Sequence, residues 1–272
     1  MILNIFFIFG DSHSLCFGQG DTLVNNKYNI QMLNRDSASV RGLINENSTL
    51  RYGLDITNFI NFKKGFGIKP YNFDENNNYY LFKFGQVDVQ INYYYKKIVK
   101  KENIDKKIFF EEIIKDYMEF LKGFKNSNII VCGINLPNPS NYKRYLINCF
   151  NRIEDKTMIN NEIEKITLEE MNIDTLLFNE LLKNSCENNS IKYFDLINEC
   201  TVNDNGKILL NHQYIGNDHH YNGCIANVLI LKNINQYNEK NENNEMLKDY
   251  INHPLYKKTY HTFINKLITI IS

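Results

Sequence analysis

The sequence has no excess of charge of either sign. Its 31 Lys and Arg are matched by 31 Asp and Glu, for a formal net charge of +0. The overall balance therefore offers no attraction to nucleic acid or to an anionic membrane surface. Six cysteines (Cys16, Cys132, Cys149, Cys186, Cys200, Cys224) form no Cys-x-x-Cys pair, which argues against a zinc ribbon or thioredoxin-like chemistry. A chain of 272 residues does not need a disulfide scaffold, so a reducing compartment is expected. No apolar stretch approaches the length of a membrane span. The apolar start has no basic region before it and leads straight into a polar turn, unlike a secretory leader. These absences predict a soluble, cytoplasmic protein, and nothing in them calls for a cofactor.

What is present is an alternation of strand and helix signals. The hydrophobic fraction of 43% is ample for one large core, and one domain over 1–272 is expected. Leu3 to Phe9 is a short, nearly continuous apolar run, the pattern of a strand covered on both faces. Further strands are expected at Tyr28 to Leu33, Tyr79 to Phe84, Asn128 to Ile134 and Ile191 to Leu196. Helical spacing marks Ile108 to Phe124, and Thr167 to Cys186 with Thr167 as N-cap. A helix is also expected over Tyr221 to Leu231, a polar linker over 233–245, and a C-terminal helix over 246–272 packed on the body. Strand and helix in this order imply a parallel sheet with helices on both faces.

The chemistry-bearing residues follow the predicted strands. Gly10-Asp11-Ser12-His13 ends the first, at the sheet edge where open α/β folds place their ligands. Ser12 is a nucleophile if a base removes its proton. Gly216-Asn217-Asp218-His219-His220 offers His219 or His220 as that base, with Asp218 to orient the imidazole. Gly42 presents an unhindered N–H to an oxyanion, and Gln86 a side-chain amide. Asp11 is expected to accept backbone N–H bonds in its turn, and His13 to be a buried, bonded histidine. Tyr93-Tyr94-Tyr95 reads as core or half-buried surface.

The sequence of Gly10-Asp11-Ser12-His13, the loop ending in Gly42, Gly85-Gln86-Val87-Asp88 and Asp218-His219-His220 resembles the SGNH/GDSL hydrolases. The resemblance covers four short blocks between about residues 5 and 221. It implies a three-layer, flavodoxin-like α/β/α sandwich with a parallel sheet of about five strands. The implied activity is a metal-free esterase or deacylase acting on a small-molecule, glycan or lipid ester. Ser12, His220 and Asp218 would be catalytic, and Ser12, Gly42 and Gln86 would form the oxyanion hole. Two positions depart from the family pattern. Val87 stands where that family carries its oxyanion asparagine, and Asn217 stands three before His220, where it carries aspartate. The same first loop, read as Asp11-x-His13, also resembles the opening of the metallophosphoesterases, whose later motifs are not matched in order. A non-catalytic binding protein on the SGNH fold is the third reading.

Overall fold

The computed structural model of the protein describes residues 4–17, 21–24, 28–62, 66, 78–124, 128–150, 156–204 and 207–210. The expected helix over Tyr221 to Leu231, the linker and the C-terminal helix lie outside these residues.

Its centre is a six-stranded sheet. β1 (Asn4–Gly10), β3 (Tyr28–Met32), β4 (Asn78–Lys83), β5 (Asn128–Cys132) and β6 (Lys192–Phe194) are parallel, in the spatial order β3-β1-β4-β5-β6. β2 (Asp21–Val24) adds an antiparallel strand outside β3, which the sequence reading lacked. Counting only the parallel strands in chain order gives 2-1-3-4-5, the flavodoxin-like winding. In that winding the strand order reverses between β1 and β4, so the ligand crevice opens at their carboxyl ends.

Three consecutive connections run in one direction across the sheet, and right-handed crossovers place them on one face. They carry α1 (Val40–Ile44) and α2 (Tyr52–Phe62), then α3 (Lys106–Lys122), then α4 (Tyr142–Phe150), α5 (Lys156–Glu164) and α6 (Leu168–Asn188). Side chains alternate across a strand. Phe7, Phe9, Tyr80 and Phe82 accordingly join one apolar cluster with Phe59 of α2, Phe110 and Tyr117 of α3, and Phe178 and Leu182 of α6. Phe7 meets Phe59 edge-on at 4.8 Å and Phe9 lies 5.2 Å from Phe82. Burying each such ring contributes about 1.5–3 kcal/mol. Ile8, Leu81, Ile130 and Cys132 point to the opposite face and are also fully buried, giving the three-layer α/β/α arrangement.

Local signals account for the element ends. Asp105 caps α3 by accepting from the Ile108 amide at 2.9 Å, starting that helix two residues before the apolar spacing does. Thr167 caps α6 as expected, accepting from the Glu170 amide at 3.0 Å. Residues 86–99 form a helix with two π-helical turns, Asp88–Asn92 and Tyr95–Val99. Its Tyr93 and Tyr94 are buried. Beyond β6, the short α7 (Ile197–Cys200) leads into a hairpin of β7 (Thr201–Asp204) and β8 (Lys207–Leu210).

Candidate active site

The first loop is built tightly around one half-buried hydroxyl. Gly10 closes β1 where any side chain would collide. A Cβ there would lie 2.7 Å from both the Lys83 carbonyl oxygen and the Ser14 Cβ. The next residue, Asp11, is fully buried. Its Oδ1 accepts from the His13 amide at 2.8 Å and sits 3.2 Å from His13 Nδ1. Its carbonyl accepts from the Ser14 amide at 3.0 Å and the Ser14 hydroxyl at 2.6 Å. Burial alone would raise the Asp11 carboxyl. The adjacent His13 ring, its hydrogen bonds and the Lys83 charge outweigh that and hold it below its ordinary value. The His13 ring is buried and packs edge-on against Tyr145 at 6.0 Å. Asp11 and His13 thus take the structural parts expected of them.

Ser12 opens a 3₁₀ turn, Ser12–Phe17, and is only half-buried. While its neighbours are locked, its own hydroxyl makes no hydrogen bond to a described residue. That is the disposition of a group left available for reaction rather than for packing.

The second loop is tied to the first through Tyr52, which sequence reasoning missed. The Tyr52 hydroxyl accepts from the Gly10 amide at 3.1 Å and donates to the Leu33 carbonyl, clamping the ends of β1 and β3 together. The Arg35 amide adds a bond of 2.9 Å to the Gly10 carbonyl. Ser39 then caps α1, its hydroxyl accepting from the Gly42 amide at 3.1 Å. The N–H that the sequence nominated for an oxyanion is therefore engaged in a helix cap.

The third loop is joined to the second by Asp88. One carboxylate oxygen accepts from the Val40 amide at 2.7 Å and the other from Asn92 at 3.3 Å. Burial pushes this carboxyl up to about 6, with the Val40 and Asn92 bonds and the Arg41 charge opposing and Asp11 adding to the rise. Gly85 turns the chain at φ +110°, where its absent Cβ leaves room for the Phe178 ring, 2.6 Å from where a Cβ would stand. Gln86, the second nominated donor, is buried and faces β5. Its Nε2 donates to the Asn135 carbonyl at 2.9 Å and its Oε1 accepts from the Asn135 amide at 2.8 Å. Val87 contributes no polar group.

Two buried residues at this edge escaped the sequence reading. Lys83, 1% exposed, ends β4 and donates from Nζ to the Gly133 carbonyl at 3.2 Å. Asn135, 2% exposed, follows β5, and Gln90 adds a third bond to its main chain at 3.1 Å. A lysine inside the apolar run Tyr79-Tyr80-Leu81-Phe82-Lys83-Phe84 was the signal available for the first. Asn135 carried none.

Asn217, Asp218, His219 and His220 lie outside the described residues. Asp11 and His13, the pair of the metallophosphoesterase reading, turn toward each other. Among the described residues no group of three His, Cys, Asp or Glu forms a metal-binding cluster. No helix among them is long and apolar enough to cross a membrane. Cys132, Cys186 and Cys200 are buried and Cys149 is exposed, and none of these four is in a disulfide.

No family model matches the chain, and no curated protein matches it. Similar solved structures include a protein described as an acylhydrolase from Bacteroides fragilis, 13% identical over 86% of this chain and 88% of that one, with a TM-score of 0.46. A GDSL-like lipase from Bacteroides thetaiotaomicron is 14% identical over 86% of this chain and 89% of that one, with a TM-score of 0.42. Phospholipase A1 from Streptomyces albidoflavus is 11% identical over 81% and 92%, with a TM-score of 0.35. The solved structures named here, to which this chain is similar at low identity, are thus a lipase, a phospholipase and an acylhydrolase.

Proposed function

We propose that the protein is a serine hydrolase that cleaves an ester or acyl group, with Ser12 as nucleophile. The observation that carries this reading is the Ser12 hydroxyl. It is half-buried and unbonded to any described residue, at the carboxyl end of β1 beside the switch point, between Asp11, His13 and Ser14, whose side chains are hydrogen-bonded. In this reading His220 takes the Ser12 proton as the hydroxyl attacks the acyl carbon, and Asp218 holds the imidazole and supports its charged form. The Ser12 amide is one oxyanion donor, and it too has no hydrogen bond to a described residue. The substrate is a small-molecule, glycan or lipid ester, and the protein acts as one domain without metal or nucleic acid.

The reading is tested by turnover of short-chain p-nitrophenyl esters in the presence of a chelator. Wild type should hydrolyse them with undiminished rate, while Ser12→Ala and His220→Ala should lose about 10⁶-fold in kcat, the scale of a removed triad member. Turnover that survives Ser12→Ala, or that the chelator abolishes, would instead favour metal-assisted chemistry at Asp11 and His13.

The binding-module reading is favoured by one specific set of observations. The Gly42 and Gln86 donors are both committed to structure, and Val87 has none. An oxyanion hole short by one donor typically costs about 10²–10³ in kcat.

A further inference from the structure

At the buried sheet edge that holds Ser12, the Asn135 side chain has no hydrogen-bond partner among the described residues. Asn135 is 2% exposed, and neither its Nδ2 nor its Oδ1 makes a hydrogen bond among the described residues. Leaving a buried donor or acceptor unmet costs about 1–3 kcal/mol, and an apolar side chain of the same shape would avoid that cost. The main chain of Asn135, by contrast, is over-determined. Gln86 Nε2 and Gln90 Nε2 both donate to its carbonyl, at 2.9 and 3.1 Å, and its amide donates to Gln86 Oε1 at 2.8 Å. Three hydrogen bonds thus fix the backbone of a residue whose amide side chain is left unused. All three come from the helix that contains Val87.

The placement is specific. The β4–β5 register pairs Phe82 with Val131, and its continuation sets Gln86 beside Asn135. The β1–β4 register pairs Gly10 with Lys83, which puts the Ser12 turn on the other side of the same β4 end. Neighbouring strands are about 4.8 Å apart, so the backbones of the Ser12 turn and the Asn135 loop stand roughly 10 Å apart, a gap for the two side chains and an acyl group lying between them over the end of β4 to bridge together.

We propose that Asn135 Nδ2 donates a hydrogen bond to the acyl oxygen of the substrate, taking the part that Val87 cannot play. This rests on the reading of Ser12 as nucleophile. In the step concerned, Ser12 Oγ bonds to the acyl carbon and its proton passes to the histidine base. The carbonyl electron pair moves onto the acyl oxygen, which the Ser12 amide and Asn135 Nδ2 stabilise. The pair then returns, the carbon–oxygen bond to the alcohol breaks, and the alcohol leaves with the proton from the histidine. Asn135 itself gains and loses nothing. Its amide is preorganised by its clamped backbone and sits away from water, where such a donor is most effective.

The experiment compares the full chain with Asn135→Leu and Asn135→Ala, using p-nitrophenyl butyrate turnover, fluorophosphonate labelling and thermal unfolding. Each variant keeps the three main-chain bonds. The expected result is a kcat lower by about 10²–10³-fold with KM little changed, while the melting temperature of Asn135→Leu is equal to or above that of wild type. Val87→Asn added to either variant should recover part of the lost kcat, which a packing role for Asn135 would not allow. Wild-type kcat in whichever variant folds would overturn the proposal and leave the hydrolase reading standing. If wild type neither labels nor turns over the ester, the hydrolase reading and this proposal fall together.

Discussion

The first loop and the two loops facing it are built on opposite plans. Around Ser12 the backbone and the flanking side chains are held by Asp11, Ser14 and Tyr52, and the Ser12 hydroxyl has no hydrogen bond among the described residues. In the second and third loops the groups nominated for catalysis are themselves the fasteners. The Gly42 amide closes a helix cap, and the Gln86 amide clamps the loop after β5. On the proposed reading, a nucleophile turn and an oxyanion hole diverge independently on one sheet edge. The turn needs only its own strand and its neighbours. The hole needs donors from separate loops, and any of these can be drawn into holding the loops together, provided another amide takes over.

The two buried aspartates show the same contrast. Asp11 is held below its ordinary value by His13 and Lys83, so it remains ionised beside Ser12. Asp88, whose two hydrogen-bond partners are uncharged amides, is pushed by burial up to about 6. One holds the turn after β1 with fixed charge; the other joins two loops and changes charge near neutral pH.

Four substitutions sharpen or break this comparison. The largest effect belongs to Ser12→Ala, which should abolish covalent labelling and lower kcat by about 10⁶-fold with no loss of melting temperature, because the hydroxyl is not a fastener. Next is Gly85→Ala. It forces an L side chain to φ +110° and brings its Cβ within 2.6 Å of the Phe178 ring, and should destabilise by about 3 kcal/mol or more, read by denaturant unfolding. Tyr52→Phe leaves the Gly10 amide and the Leu33 carbonyl without their shared partner. We expect a loss of about 2–4 kcal/mol together with slower labelling of Ser12, whose turn that hydroxyl anchors.

The smallest effect is a pH slope. The folded-state pKa of Asp88 is raised from 3.8 to about 6, so its contribution to stability is fully present below about 4 and is lost as pH rises through about 6. Asp11 acts in the opposite sense, because its value is lowered. Its contribution is present above its ordinary value and fails only under stronger acid. Between pH 4 and 6 Asp88 therefore dominates this pair. Asp88→Asn should remove about 1–3 kcal/mol of pH dependence from unfolding curves taken across that window. An unchanged slope in Asp88→Asn would show that the loop junction does not titrate.

The sheet was legible because its strands are short apolar runs ended by glycine or polar turns, and local composition is enough to mark them. Leu3 to Phe9, Tyr79 to Phe84 and Asn128 to Ile134 each fall on an observed strand within a residue or two at either end. The edge strand β2 was not legible, since Asp21-Thr22-Leu23-Val24 is too short to show a period. The helix over 86–99 hid its spacing in two π-helical turns, which shift apolar positions off the ordinary repeat. At the site, Ser12, Asp11 and His13 were readable because they are consecutive residues of one turn. Tyr52, Lys83 and Asn135 were not, because each acts on residues at least 19 positions away, through contacts that exist only once the strand ends are side by side.

The central claim is that Ser12 is a nucleophile left available on a locked turn. Its most direct test is mass-spectrometric mapping of the adduct formed when the intact protein reacts with a fluorophosphonate. A single phosphonyl group on the peptide containing Ser12, absent from Ser12→Ala and from protein unfolded beforehand, is the predicted result. No adduct on the folded wild type, or one borne by a different residue, would contradict the account.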